Sequence, residues 1–486
     1  MPSSRALSFA FGRRFTLLAA AVALGGCGRP AVPEKPNIVL IMADDLGYGH
    51  LGSYGQALIR TPNIDRLAEE GVRFTQFYAG STVCAPSRSV LMTGRHTGRT
   101  SVRGNTGGIP LLPEDVTLGE VLRGAGYATG IFGKWGLGDH GTTGVPYAQG
   151  FDEFVGYLHQ VHAHFYYPTF LWANDRRLEL PGNAGDARVT YSHDVVTDRA
   201  LQFVREHRDG PFFLYLAYTI PHTELLVPDE SLREYDGAFP EPNPYPGDGH
   251  YAAQERPRTA FAAMVSRMDR DVGRLASLLQ ELGIDDRTIV LFTSDNGGQD
   301  GWGADLAFFQ GNGPLRGGKM SLYEGGIRVP LVARWPGVIG SGRVSDHVWA
   351  FWDMLPTLAE LSGASAPEGV DGVSMLPAVL GAERVGREPA THEFLYWEYG
   401  NVLGQAPIRQ AARWGTWKGV RADLSGPLEL YDLASDLGET TDVAGEHPDI
   451  VARLSTYLDT THTPARAYPA EVSTYRYAGQ DSVRGW

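Results

Sequence analysis

The sequence predicts an α/β fold: a large mixed, mostly parallel sheet covered by helices on both faces, with a small C-terminal α+β subdomain carrying a short antiparallel sheet. Three observations carry this. Short, nearly continuous apolar runs recur along the chain, as interior strands buried on both faces require. Stretches with helical spacing separate them. Past about residue 385 the runs shorten and read as a meander. The 486 residues, 43% hydrophobic and 20% charged, have an ordinary globular composition and enough length for a sizeable core.

The chain opens with a segment that does not belong to the fold. Arg5, Arg13 and Arg14 precede an apolar run from Phe15 to Leu24, too short to span a bilayer. The run ends in Leu24-Gly25-Gly26-Cys27, which resembles the lipobox of bacterial lipoproteins, where the chain is cut before a cysteine that is then acylated. Residues 1–26 therefore read as a lipoprotein-type signal peptide and 27–36 as a Pro-rich tether. A plain secretory signal is the alternative, and the paired arginines weakly resemble a twin-arginine export signal. The expectation is an exported protein of the periplasm or cell envelope, touching the membrane only through a lipid on Cys27.

The clearest strands are Asn37–Met42, Tyr127–Phe132, Phe212–Tyr218 and Thr288–Thr293. A helix starts at Thr61-Pro62, with Thr61 as N-cap, an apolar stripe of Ile64, Leu67 and Ala68, and Gly71 as its stop. A longer helix covers Ala263–Leu282, with Val265, Met268, Val272, Leu275 and Leu279 at helical spacing. Trp414–Val420 and Leu428–Leu433 read as strands of the C-terminal meander, and Ile450–Leu458 as a helix after Pro448. The fold thus divides into a main domain over 37–385 and a subdomain over 386–486.

Each of the four strands runs into polar chemistry. Asn37–Met42 leads to Asp44-Asp45, and Thr288–Thr293 to Asp295-Asn296. Tyr127–Phe132 leads to Lys134, and Phe212–Tyr218 to His222. Open α/β sheets bind ligands beyond the carboxyl ends of their strands, so these groups read as one composite site. Asp44, Asp45, Asp295 and Asn296 offer oxygen ligands, which suit a hard cation: Ca²⁺, with Mg²⁺ second, rather than zinc. A turn or cap role for each acid is the structural alternative. Net charge is −14, or −17 without the three arginines of residues 1–26, which argues against nucleic acid as a partner.

There are two cysteines, Cys27 and Cys84. If Cys27 carries lipid, Cys84 is an unpaired thiol in an oxidising compartment, a liability unless buried or altered. It opens the stretch Cys84-Ala85-Pro86-Ser87-Arg88, in which Pro86 begins a helix and Arg88 lies in its first turn. The helix dipole and Arg88 predict an ionised nucleophile that attracts an anionic substrate.

Cys84-x-Pro86-Ser87-Arg88, continued by Thr93-Gly94-Arg95, resembles the signature of the formylglycine-dependent sulfatases of the alkaline phosphatase-like superfamily, with Met92 in place of a more usual leucine. Asp44-Asp45-Leu46-Gly47-Tyr48-Gly49 resembles the family's first metal pair and Thr293-Ser294-Asp295-Asn296-Gly297 its second. Gly133-Lys134-Trp135, Pro221-His222-Thr223 and Leu315-Arg316-Gly317-Gly318-Lys319 resemble the segments of the two sulfate-binding lysines and the leaving-group histidine. Leu430-Tyr431-Asp432-Leu433 resembles a strand of the family's C-terminal subdomain. The resemblance covers roughly 37 to 445.

The resemblance implies a hydrolase of sulfate esters acting on a sulfated small molecule or saccharide. Its nucleophile is a formylglycine made from Cys84 by a maturation enzyme. It implies Ca²⁺ on Asp44, Asp45, Cys84, Asp295 and Asn296, with Arg88, Lys134, His222 and Lys319 as the remaining catalytic groups. One position departs: the family reads Gly-Lys-Trp-His-Leu-Gly where this chain has Gly136. His162 or His164 is expected to fill the gap, with Tyr166 and Tyr167 shaping the substrate pocket and Trp172 favouring a saccharide. The alternatives are a phosphonate monoester hydrolase or phosphodiesterase of the same fold, and a non-catalytic protein that binds sulfated glycans.

Overall fold

The computed structural model describes residues 35–466, apart from 106, 108, 186, 249 and 401–406. The leader over 1–26 and Cys27 lie outside the described residues. The large sheet is built from β1 (Asn37–Ala43), β2 (Val72–Tyr78), β3 (Ala128–Lys134), β4 (Glu153–Tyr157), β5 (Phe170–Ala173), β6 (Arg176–Glu179), β7 (Phe212–Ala217), β8 (Thr288–Ser294), β9 (Arg328–Arg334), β10 (Arg343–Ser345) and β11 (Trp349–Ala350). Their order is β10-β2-β9-β8-β1-β7-β3-β4-β5-β6, with β11 also on β2. The four apolar runs read from the sequence are neighbours, β8-β1-β7-β3, and all are parallel.

Both faces of this centre are covered. Along β1, Ile38, Leu40 and Met42 enter one core while Val39, Ile41 and Ala43 enter the other. The first core is closed by the helices Cys84–Thr93, Leu118–Gly124 and Met354–Leu361. The second is closed by Pro62–Glu69, Ser192–Glu206 and Pro257–Glu281. Alternate residues of one strand reach opposite cores, so period-2 geometry here demands a continuous apolar run rather than alternation.

β9 contains Pro330, which lacks the N–H that an interior strand needs. Opposite it, β2 carries a bulge between Phe74 and Phe77, so the missing donor falls where the ladder is already interrupted. The Pro330 carbonyl is still used, accepting from Thr293 Oγ1 at 2.8 Å.

The smaller sheet is antiparallel: β12 (Leu395–Tyr399), β13 (Arg409–Trp414), β14 (Trp417–Arg421) and β15 (Leu428–Asp432), in that order. One face joins the first core through Trp397, Ala411 and Val420. The other packs on the helix Pro448–Thr461 through Leu454 and Leu458.

Three local expectations are corrected. Trp414–Val420 is not one strand, because the chain turns at Gly415 and Trp414 pairs with Trp417. The long helix begins at Pro257 rather than Ala263. Thr61 stands at the N-cap of its helix, but its hydroxyl turns to Asp65 and accepts from the Gly52 amide. The free amides of Asn63 and Ile64 donate instead to Asp269 of the long helix, at 3.0 and 2.8 Å. A neighbouring helix therefore supplies the cap.

Candidate active site

Parallel, adjacent strands end on the same side, so their C-terminal residues meet. Asp44 and Asp45 follow β1, Asp295 and Asn296 follow β8, Lys134 ends β3, and His222 stands on the loop after β7. Facing this rim is the start of the helix Cys84–Thr93, all of whose residues are buried. Strand ends are tied together: the Asp45 amide donates to Asp295 Oδ1 at 3.1 Å and the Leu46 amide to Ser294 Oγ at 2.9 Å. Asp45 is held at φ 65, a left-handed conformation that a non-glycine residue keeps only where its surroundings impose it.

Cys84 Sγ lies 3.3 Å from Asp44 Oδ1 and 3.9 Å from Asp45 Oδ1. One ligand atom each from Asp44, Asp45, Cys84 and His222 falls within 4.8 Å of the others. Three cations face the three carboxylates. Lys134 Nζ is 2.8 Å from Asp44, Lys319 Nζ is 2.7 Å from Asp45, and Arg88 Nη2 is 2.8 Å from Asp295. Arg88 also donates to the Lys134 carbonyl at 2.6 Å, and Lys319 to Gln299 at 3.2 Å.

Burial and charge act against each other here. Burial would raise the Asp44 carboxyl, but Lys134, Arg88 and Lys319 outweigh it and bring it down to about 2. Asp295 goes the other way, to about 7, through burial and the charge of Asp44, with Arg88 opposing. Burial and Asp44 push the Cys84 thiol well above its ordinary value. The expectation of an ionised thiol is therefore corrected. Arg88 turns toward Asp295 and the Lys134 carbonyl, while the carboxylates of Asp44 and Asp45 lie beside the sulfur.

The donor set fits a hard cation. Asn296 Nδ2 donates to Asp45 Oδ1 at 2.8 Å, which leaves Asn296 Oδ1 buried with no partner among the described residues. An orphaned carbonyl oxygen beside three carboxylates is what an oxygen-ligated ion would complete.

The histidines separate. The His164 ring stacks on His222 with centroids 4.7 Å apart, and its Nδ1 meets His250 Nε2 at 2.8 Å. His162 instead packs on Tyr157 and Phe170, so the structure brings His164 to the site and not His162. Neither imidazole occupies the space beside Gly136. A Cβ there would come within 2.1 Å of the Gln160 amide, and Gly136 has φ +79, which favours glycine. Gln160 is buried, and neither of its amide atoms has a partner among the described residues.

Tyr166 and Tyr167 also differ from expectation. Tyr166 is fully buried, and its hydroxyl donates to the carbonyls of Thr219 and His222, so it braces the loop of His222 instead of facing a substrate. Tyr167 packs on Tyr191. Trp172, on β5, stacks on His140. Sequence reasoning singled out neither Gln160, which stands two residues before His162, nor Gln299, three residues after Asn296, and it missed His250 and Tyr251, which no local signal marks.

Two family models match the chain: Sulfatase over residues 36–364, and N-sulphoglucosamine sulphohydrolase, C-terminal, over 318–463. N-acetylgalactosamine-6-sulfatase of Canis lupus familiaris is 31% identical over an alignment covering 96% of this chain and 87% of that one. Arylsulfatase A of Homo sapiens is 34% identical, with 87% of each chain covered. Among solved structures, Ps i-CgsB in complex with k-i-k-neocarrahexaose matches with a TM-score of 0.75 at 29% identity, over 90% of this chain and 96% of the other.

Proposed function

The chain belongs to the sulfatase family, and from that premise we propose that it hydrolyses sulfate esters of a saccharide through a formylglycine at position 84. One observation carries the reading: residue 84, two carboxylates and His222 converge within 4.8 Å at the ends of parallel strands. As a thiol, Cys84 is a poor nucleophile, because burial and Asp44 keep it protonated. Conversion by a maturation enzyme would supply, as the aldehyde hydrate, an oxygen nucleophile that also releases sulfate by collapsing back to the aldehyde.

Asp44, Asp45, Asp295 and Asn296, with residue 84, would hold Ca²⁺ (Mg²⁺ second). Bound there, the ion would act as a Lewis acid toward a sulfuryl oxygen. Lys134 and Lys319, paired with Asp44 and Asp45 in this structure, reach the same centre and would neutralise the other sulfuryl oxygens. Arg88 fixes Asp295 and, through the Lys134 carbonyl, the strand end that carries Lys134. His222 would donate the proton to the departing alcohol. Burial and the charges of Lys319 and Lys134 hold its imidazole well below the usual value here. A bound sulfate's negative charge works in the opposite direction. His222 Nδ1 donates to the Thr223 carbonyl, which leaves Nε2 to face Asp45 and the reacting centre.

A saccharide is supported by the name of one relative, N-acetylgalactosamine-6-sulfatase, and by the carbohydrate bound to Ps i-CgsB. The proposal includes a main domain over 37–385, a subdomain over 386–486 and export with a lipid at Cys27. Among the described residues no helix is long and apolar enough to cross a membrane. The test is kinetic, on protein co-produced with a formylglycine-generating enzyme. It should cleave sulfated sugars and 4-nitrophenyl sulfate far faster than the matched phosphate or phosphonate monoesters. The reverse preference would make it a phosphonate monoester hydrolase.

A further inference from the structure

Trp302 stands apart from the other aromatic side chains among the described residues. It is 40% exposed, and among the described residues no other tryptophan, tyrosine or phenylalanine is exposed. Its backbone is left-handed, φ 49, a conformation rare for so bulky a residue. A tight turn imposes it: the Gly301 amide donates to the Ala304 carbonyl at 3.1 Å, and the Ala304 amide donates back at 2.9 Å. Behind the turn, Gly303 is seated against Leu225, Tyr245 and Pro257. The fold therefore holds this indole outward at a cost in backbone strain and exposed apolar surface.

The position is not arbitrary. The loop bearing Trp302 leaves the site directly, running from Asp295 and Asn296 through Gln299, which accepts from Lys319 at 3.2 Å. A row of rings joins the two places. Tyr251 lies 6.4 Å from His222 and 6.2 Å from Trp302, between centroids. Tyr251 is also fixed from behind, since its hydroxyl reaches His164 Nδ1 at 3.3 Å and its ring meets His250 at 4.6 Å. Exposure rises outward along this row, from 3% at His222 through 8% at Tyr251 to 40% at Trp302.

We propose that Tyr251 and Trp302 form a leaving-group subsite, in which Trp302 stacks on the apolar face of the pyranose ring adjoining the sulfated sugar. The inference rests on the assignment of His222 to the departing alcohol, because the row starts at His222 and leads away from the sulfate. A pyranose ring offers one flat C–H face for the indole and hydroxyls for the polar groups around Tyr251. A sulfate ester of a single small alcohol would end before reaching Trp302. The subsite therefore selects substrates of at least two sugar units.

The experiment compares matched pairs of sulfated mono- and disaccharides that share the sulfated residue. Wild type should show a higher kcat/KM on the disaccharide of whichever pair it cleaves. Trp302→Ala should erase most of that preference, by roughly tenfold through KM, while Trp302→Phe keeps part of it. The side chain is exposed, so the thermal midpoint of both variants should match wild type. An unchanged disaccharide preference in Trp302→Ala would overturn the subsite. So would a wild type that cleaves 4-nitrophenyl sulfate but no saccharide, an outcome that leaves the sulfatase reading standing. A properly matured wild type that cleaves no sulfate ester of any kind brings down the reading of the site itself, and the subsite with it.

Discussion

Asp44, Asp45 and Asp295 are buried among cations at the strand ends, and Glu324 and Glu439 are buried among cations beneath the small sheet. The two clusters differ in how completely they are satisfied. Lys418 Nζ lies 2.9 Å from Glu324 and 3.3 Å from Glu439. The other Glu324 oxygen takes the Tyr78 hydroxyl at 2.6 Å and Arg328 at 3.3 Å, while Glu439 accepts the Glu324 amide at 2.7 Å. No side-chain atom of this second cluster lacks a partner among the described residues. At the strand ends, Asn296 Oδ1 and both amide atoms of Gln160 do. Buried charge alone does not mark a site; what sets the strand ends apart is that an amide oxygen, Asn296 Oδ1, stands unpartnered beside the carboxylates, and leaving such an atom unpaired costs about 1–3 kcal/mol. The complete cluster ties the small sheet to the segment that carries Lys319, and the incomplete one could hold a metal ion.

That contrast can be broken by substitution. Cys84→Ala should lower turnover by about 10⁴-fold or more with the thermal midpoint unchanged, because alanine keeps the helix start. Asp295→Ala should lower turnover by about 10²–10³-fold and remove stoichiometric metal from the purified protein by elemental analysis. In the other cluster, Lys418→Met should act on folding, costing about 3–5 kcal/mol in urea unfolding because two carboxylates lose their buried cation. Turnover per folded molecule should stay near wild type. Stoichiometric metal retained in Asp295→Ala, or large loss of turnover per folded molecule in Lys418→Met, would erase the distinction.

The pH dependence sharpens it. Burial would raise Glu324, but Lys418, Arg328 and Arg413 hold it at about 2, below its ordinary 4.5. As pH falls, the unfolded chain takes up this proton first. The stability from Glu324 is therefore complete above 4.5 and drains away between 4.5 and about 2. Urea midpoints measured across that window should fall more steeply for wild type than for Glu324→Gln. The smallest effect is expected at Gln160. Gln160→Met removes two unpartnered buried atoms and should raise stability by about 1 kcal/mol, with a modest loss of turnover if the amide serves the reacting centre.

What was legible in the sequence follows the same physics. The strands β1, β3, β7 and β8 were readable to within two residues because burial on both faces writes itself as an unbroken apolar run. The polar residues after them were readable as a rim because parallel strands end together. β2 was not, since Val72–Tyr78 interleaves Arg73, Thr75 and Gln76 with its apolar residues, and β9 was hidden by Pro330. His162 and His164 lie two residues apart on one short turn, and only packing decides which of them meets His222. The indole of Trp302 and the amide of Gln160 belong to contacts between distant segments, which local pattern does not encode. The Cys84 thiol departs from expectation for another reason: the helix start and Arg88 favour its ionised form, but burial and the charge of Asp44, which the sequence already puts at the same site, outweigh them.

The most direct test of the central claim is mass spectrometry of the peptide containing residue 84, from protein co-produced with a formylglycine-generating enzyme and assayed in parallel on a sulfate ester. The account predicts that residue 84 has lost its sulfur and gained an aldehyde, and that turnover scales with the fraction converted across preparations. Full activity in protein that carries only the unmodified Cys84 thiol would contradict it.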